Sequence, residues 1–188
     1  MYPEYTIIGD KEYKIDTDFR TALKCFEVVE DTSINDEERA LAIIYLLFDF
    51  IPTDDLDLFL EKAIKFLQCG ENTEQQNSKE KDMDLLQDKK YIMSSFMSDY
   101  HIDLSKDKLH FWQFIDYIQG LTESSSLNRV RDLRTYDASK IEDLNEREKI
   151  INAQKQVALI KKQTILTSEQ KKSAKSFYEQ IQNQEVIK

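Results

Sequence analysis

His101, Asp103, Asp107 and His110 are the one place where this chain sets its histidines among carboxylates, so chemistry is tested there first. A metal centre needs three or four such donors converging at a recognisable spacing, and these four resemble one only loosely. The competing reading needs no ligand. His101 ends one helix, Asp103 and Asp107 flank the cap of the next, and His110 lies on that helix's surface. We prefer it, and expect neither a metal nor a cofactor.

Arg129, Arg131 and Arg134 follow a helix and a turn, which invites comparison with a DNA-reading helix. Asp132 and Asp137 interrupt the run, and the surroundings are acidic. Pairing with neighbouring carboxylates is the preferred reading. The lysines at 161, 162, 171, 172 and 175 are read as a solvated face. Cys25 and Cys69 fall inside amphipathic helical patterns, where a thiol acts as a small buried hydrophobe. No glycine-rich phosphate loop, CxxC, HExxH or GxSxG occurs, and three scattered glycines leave no tight turn for a nucleotide fold. The expectation is a protein that is not an enzyme.

Charge separates the chain into two parts. Residues 1–144 carry 17 Lys and Arg against 31 Asp and Glu, a balance of −14, whereas residues 145–188 carry 9 against 5, a balance of +4. An acidic body repels phosphate backbones and disfavours nucleic acid as a partner. The basic tail suits something acidic, including the body of another copy. No run of about 18 apolar residues is present, so no membrane span is expected, and the start of the chain lacks the pattern of a secretory signal. The expected location is the cytoplasm.

With 40% hydrophobic and 11% aromatic residues, the chain has enough apolar surface to fold, and its few glycines and prolines disfavour an all-β architecture. We therefore expect a mainly α fold: one compact helical domain over residues 1–163, of about six to eight helices, with a short N-terminal β-hairpin. Gly9-Asp10 between β-prone runs suits a type II′ turn. Tyr5, Ile7, Tyr13 and Ile15 give that hairpin apolar positions for self-association, because a lone two-stranded sheet is marginal in water.

Asp16 or Thr17 is expected to cap a first helix, and Asn35 a second, whose Ala40, Ile43, Ile44, Leu47, Phe48 and Ile51 form a stripe widened by Leu41 and Tyr45 and ended by Pro52. Thr53 caps a third, stopped by Gly70. Residues 71–81 contain no aliphatic or aromatic side chain and read as a flexible loop, a place for a subdomain boundary. A fourth helix is expected over 83–100. A fifth, capped by Ser105 and stopped by Gly120, carries Phe111, Trp112, Phe114, Ile115 and Ile118 over more than one face. The serines at 124–126 cap a sixth through Tyr136, and 141–162 suits a seventh. The basic tail at 164–188 is either helical, with Ala174, Phe177, Tyr178 and Ile181 on a narrow face, or disordered.

Between Tyr100 and Lys149 the sequence is specific. Asp99-Tyr100, Ile102-Asp103-Leu104, Phe111-Trp112-Gln113-Phe114, Gly120-Leu121 and the segment from Arg134-Thr135-Tyr136-Asp137 to Ser139-Lys140-Ile141 form an ordered series. It resembles the phage gene-product-fifteen family of Gram-positive siphophages and prophages, with Phe111-Trp112 where the family has Trp-Trp and His101 where it has Gly. The resemblance implies a gene between those of the major tail protein and the tape-measure protein. It further implies a tail-assembly chaperone of the host cytoplasm, one that coats the tape measure, self-associates, meets the neighbouring tail-assembly gene product and is absent from the finished virion. Phe111, Trp112 and Ile115, with Phe177, Tyr178 and Ile181 of the tail, are the candidate partner-binding residues, although Trp112 is more readily a core residue. A minor structural protein of the virion tail and a nucleic-acid-binding regulator are the alternatives.

Overall fold

A computed structural model describes residues 2–70 and 81–160, and among these it contains one hairpin, seven α-helices and a single 3-10 turn. The expected mainly α class is what the chain adopts. Strands β1 (Tyr5–Ile8) and β2 (Lys11–Lys14) pair antiparallel, Tyr5 opposite Lys14 and Ile8 opposite Lys11. Gly9 supplies the positive φ, +60°, that the first central position of a type II′ turn requires.

Two compact units are present, each with its own core. The first comprises residues 2–70 with Leu109–Gln113. In it α1 (Phe19–Glu30) packs on α2 (Asp36–Phe48), and α2 on α3 (Leu56–Leu67). Helix α2 begins as its sequence demands. Asn35 accepts the N–H groups of Glu37 and Glu38 while Glu38 accepts the N–H of Asn35, a reciprocal cap that satisfies otherwise orphan donors. Its Ala40, Ile43, Ile44, Leu47 and Phe48 are buried. Each large aliphatic among them stabilises the fold by about 1.5–3 kcal/mol.

Several boundaries differ from the sequence expectation, each for a local reason. Asp18, not Asp16 or Thr17, caps α1, because its carboxylate reaches the N–H of Arg20. Helix α2 stops before Pro52, since Asp49 turns left-handed at φ 61° with its N–H on the carbonyl of Tyr45. Ile51 therefore leaves the stripe, and it and Tyr45 are exposed. Thr53 does not cap α3; Asp55 precedes it in a left-handed conformation and makes no side-chain cap bond. Cys69 lies beyond α3 with φ 53° and is only half-buried, whereas Cys25 is fully enclosed. Residues 71–80 of the expected loop lie outside the described residues.

The chain returns to the first unit at Leu109–Gln113, where Asp18 and His110 form an isolated antiparallel bridge. The Phe19 N–H donates to the carbonyl of Leu109 at 3.0 Å, and the Phe111 N–H to that of Thr17 at 2.7 Å. Those bonds set the start of α5 (Phe111–Gln119). Ser105 is not its cap: Asp103 has captured the Ser105 N–H and hydroxyl in a separate turn. His110 serves instead, its Nδ1 accepting the N–H of Trp112 at 3.0 Å.

The second unit contains the described residues 81–108 and 114–160. Here α4 (Lys89–Tyr100) packs on α6 (Ser126–Thr135), and α6 on α7 (Leu144–Val157). Helix α4 starts later than expected because the carboxylates of Asp84 and Asp88 bond the backbone of residues 84–87 into turns. Helix α6 is capped by Ser125, within the expected serine run, and the N–H of Leu127 donates to the buried hydroxyl of Ser95. Helix α7 is shorter than the expected 141–162, beginning only after a 3-10 turn at Ala138–Lys140 and the Asp143 cap.

Candidate functional site

Among the described residues of the first unit, the large apolar side chain most exposed is Ile7 of the hairpin. Strand pleating sends alternate residues to opposite faces, so Ile8 is buried while Tyr5 and Ile7 are 49% and 64% exposed. Of the other two self-association candidates, Ile15 is buried and Tyr13 is half-buried, its ring 4.8 Å edge-on to Phe59. The outward apolar face thus consists of Tyr5 and Ile7. Lys11, Glu12 and Lys14 make the second strand a charged one.

Helix α5 distributes its apolar residues around its axis, as its composition demands. Phe111 is enclosed in the first unit, its ring 6.0 Å from Phe26 and 5.9 Å from Phe66. Trp112 is half-buried, stacked on Phe66, with Nε1–H donating to the Phe66 carbonyl at 2.8 Å. A satisfied indole on a packed ring is a structural role, and it favours the core reading for Trp112. Ile115 is half-buried. Phe177, Tyr178 and Ile181 lie outside the described residues.

A surface that sequence reasoning did not single out runs along α4, where Met93 and Met97 are both exposed one turn apart. Their i, i+4 spacing was legible.

The polar candidates resolve into structural roles. His101 closes α4 with a left-handed φ of 57°. Asp103 binds Lys106 at 2.8 Å and Ser105, and these partners hold its carboxyl down at about 2. His110 is not a surface residue of α5: its Nε2 lies 2.9 Å from the Pro3 carbonyl and its ring stacks on Tyr2. Burial, with the Asp16 charge adding to it, pushes the Cys25 thiol up to about 12, which leaves it inert as a nucleophile. Among the described residues no three His, Cys, Asp or Glu side chains converge as metal ligands would.

Two of the three arginines are engaged by carboxylates, as expected. Arg131 pairs with Asp82 at 2.9 Å, and Arg134 clasps Asp88 with two bonds of 2.7 and 2.6 Å. Arg129 is exposed. Among the described residues no helix is long and apolar enough to cross a membrane.

Comparison with known families returns one described as Bacteriophage Gp15 protein, matched by residues 4–159. No curated protein and no solved structure matches.

Proposed function

The chain belongs to the bacteriophage Gp15 family, and from that premise we propose that it is a tail-assembly chaperone, a non-enzymatic protein that binds the tape-measure protein and associates with itself in the host cytoplasm. The observation that carries the reading is the extent of the family match, 4–159, which takes in the whole of the described hairpin and all of the described helices. A tape-measure protein is long, helical and apolar and needs a cover until the tail tube encloses it, so its partner needs exposed apolar surface on a soluble, acidic body. The exposed Met93 and Met97 of α4 offer such a surface, since flexible thioether side chains adapt to varied apolar partners. Tyr5 and Ile7 offer one for self-association. The basic tail at 164–188 is a third candidate for docking by charge.

Occupation of Arg131 and Arg134 by Asp82 and Asp88 removes two of the three cations on which a nucleic-acid reading would rest. Co-expression with the adjacent tape-measure gene tests the proposal. The tape-measure protein becomes soluble and copurifies with this chain if the reading holds, and stays insoluble if it does not. Proteomics of purified particles separates a chaperone, absent from the virion, from a minor structural component, present in it.

A further inference from the structure

We propose that two copies of this chain pair through the outer edge of β1, Tyr5 with the other copy's Ile7, to make one four-stranded antiparallel sheet. This deepens the self-association in the reading above, while needing no client.

Register and one bond fix which groups face outward. In an antiparallel pair, opposed residues alternate between exchanging both backbone bonds and exchanging none. Ile15 donates its N–H to the Glu4 carbonyl at 2.9 Å. The register runs on as Tyr5 with Lys14, Thr6 with Tyr13, Ile7 with Glu12 and Ile8 with Lys11. Glu4, Thr6 and Ile8 are thus the bonded positions of this strand. The N–H and C=O groups of Tyr5 and Ile7 point away from β2, toward the outer edge, and among the described residues no other backbone bond takes them.

The two edges of this sheet are not equivalent. The sequence of β2, Lys-Glu-Tyr-Lys, carries the charges that keep an edge from adding strands, whereas β1, Tyr-Thr-Ile-Ile, carries none. Exposed apolar side chains stand on the same two residues that hold the free backbone groups.

A second copy is the occupant that fits. Antiparallel pairing about a two-fold axis at Thr6 sets Tyr5 against Ile7 of the other copy twice, an aromatic and a β-branched residue on the outward face, and sets Thr6 against Thr6. Glu4 falls opposite Ile8, so no two like charges meet. That matters for a chain of net charge −10, since most other surfaces would bring carboxylates together.

Disulfide trapping tests the geometry. At the axis the two Thr6 Cα atoms form a non-bonded pair about 4.5 Å apart, within the reach of a disulfide. In full-length protein with Cys69→Ser, Thr6→Cys should yield a dimer on a non-reducing gel under mild oxidation. By light scattering the wild type should show twice the 22.3 kDa chain mass at high micromolar concentration. Ile7→Lys should halve that mass with an unchanged melting temperature, its side chain being exposed. Ile7→Pro, which removes only an outward N–H, should do the same. A wild type that stays monomeric, or a dimer that Thr6→Cys fails to trap, overturns the proposal. Tape-measure solubilisation by the Ile7→Lys protein is scored separately, so loss of the dimer and loss of the chaperone activity are read apart.

Discussion

Arg134 on α6 and Asp88 before α4 meet across a gap of 46 residues in sequence, the guanidinium clasping both carboxylate oxygens at 2.7 and 2.6 Å. Asp88 is 1% exposed. The same guanidinium donates to the Asp82 carbonyl at 2.8 Å and, through Nε, to the Val157 carbonyl at 2.7 Å. One side chain therefore joins the turn before α4, helix α6 and the end of α7. Gln87 completes the tie, its amide bonding both the N–H and the C=O of Ile160.

A buried pair of this kind is costly to break because the surviving charge stays desolvated. Arg134→Met should lose about 3–5 kcal/mol in urea unfolding. Arg134→Lys should fall between it and the wild type, since an ammonium cannot reproduce the two-pronged bond. Arg134→Met combined with Asp88→Leu should recover only part of the loss, since Asp88 also accepts the Asp84 N–H and Arg134 also serves the carbonyls of Asp82 and Val157. A single mutant as stable as the wild type would show that the clasp contributes nothing.

Asp84 makes stability depend on acid. Burial works against its charge, yet the N–H of Gln87, the Lys81 ammonium and the N–H of Leu86 outweigh that, and its carboxyl lies below the ordinary value. A carboxyl depressed on folding adds stability above its unfolded pKa, roughly 4, and loses it as pH falls through the lower folded value. Asp84→Asn should thus be less stable than the wild type at neutral pH, and the gap between the two urea midpoints should narrow as pH falls below about 4. A gap that does not narrow with acid would assign the effect to packing alone.

How much of this was legible depends on the range of the interaction. The Asn35 cap, the buried stripe of α2, the turn at Gly9 and the serine cap of α6 are written in adjacent residues. The boundaries that moved are those where a side chain competes with the helix for backbone bonds: Asp84 and Asp88 delay α4, and Asp103 draws Ser105 away from α5. That the arginines seek carboxylates followed from charge. That Arg134 finds Asp88 did not, because nothing local marks a partner so distant in sequence. Among the interaction candidates, strand alternation alone could have separated Tyr5 and Ile7 from Ile8, but the burial of Ile15 needed the bond from its N–H to Glu4 and the packing beyond it.

Trp112 and Gly70 form a second testable pair. The indole bonds the Phe66 carbonyl near the end of α3, and a Cβ added at Gly70, where φ is +79°, would stand 3.2 Å from the ring. Trp112→Phe keeps the stacking and loses the bond, an expected cost of about 1 kcal/mol. Trp112→Ala removes both, about 3 kcal/mol for a half-buried ring. Gly70→Ala should cost about 1 kcal/mol, through strain and the contact together. Fluorescence of the chain's single tryptophan follows the Gly70 variant, and circular dichroism follows the others. An unchanged midpoint for Trp112→Ala would return that residue to the candidate partner surface.

His110 ties the N-terminal segment to the start of α5, and its two nitrogens do different work. Nδ1 accepts the N–H of Trp112, so the proton resides on Nε2, which donates to the Pro3 carbonyl. His110→Phe keeps an aromatic ring beside Tyr2 and removes both bonds. His110→Asn can restore the cap, since its side-chain oxygen suits a helix N-terminus, but is too short to hold Pro3 as well. The Trp112 amide should therefore exchange with solvent slowly in the wild type and in His110→Asn, and quickly in His110→Phe. Proteolysis before Tyr5 should be faster in both variants. Loss of the cap should cost about 1 kcal/mol in His110→Phe. If the Trp112 amide stays protected in that variant, the hydrogen bonds of α5 do not depend on the histidine.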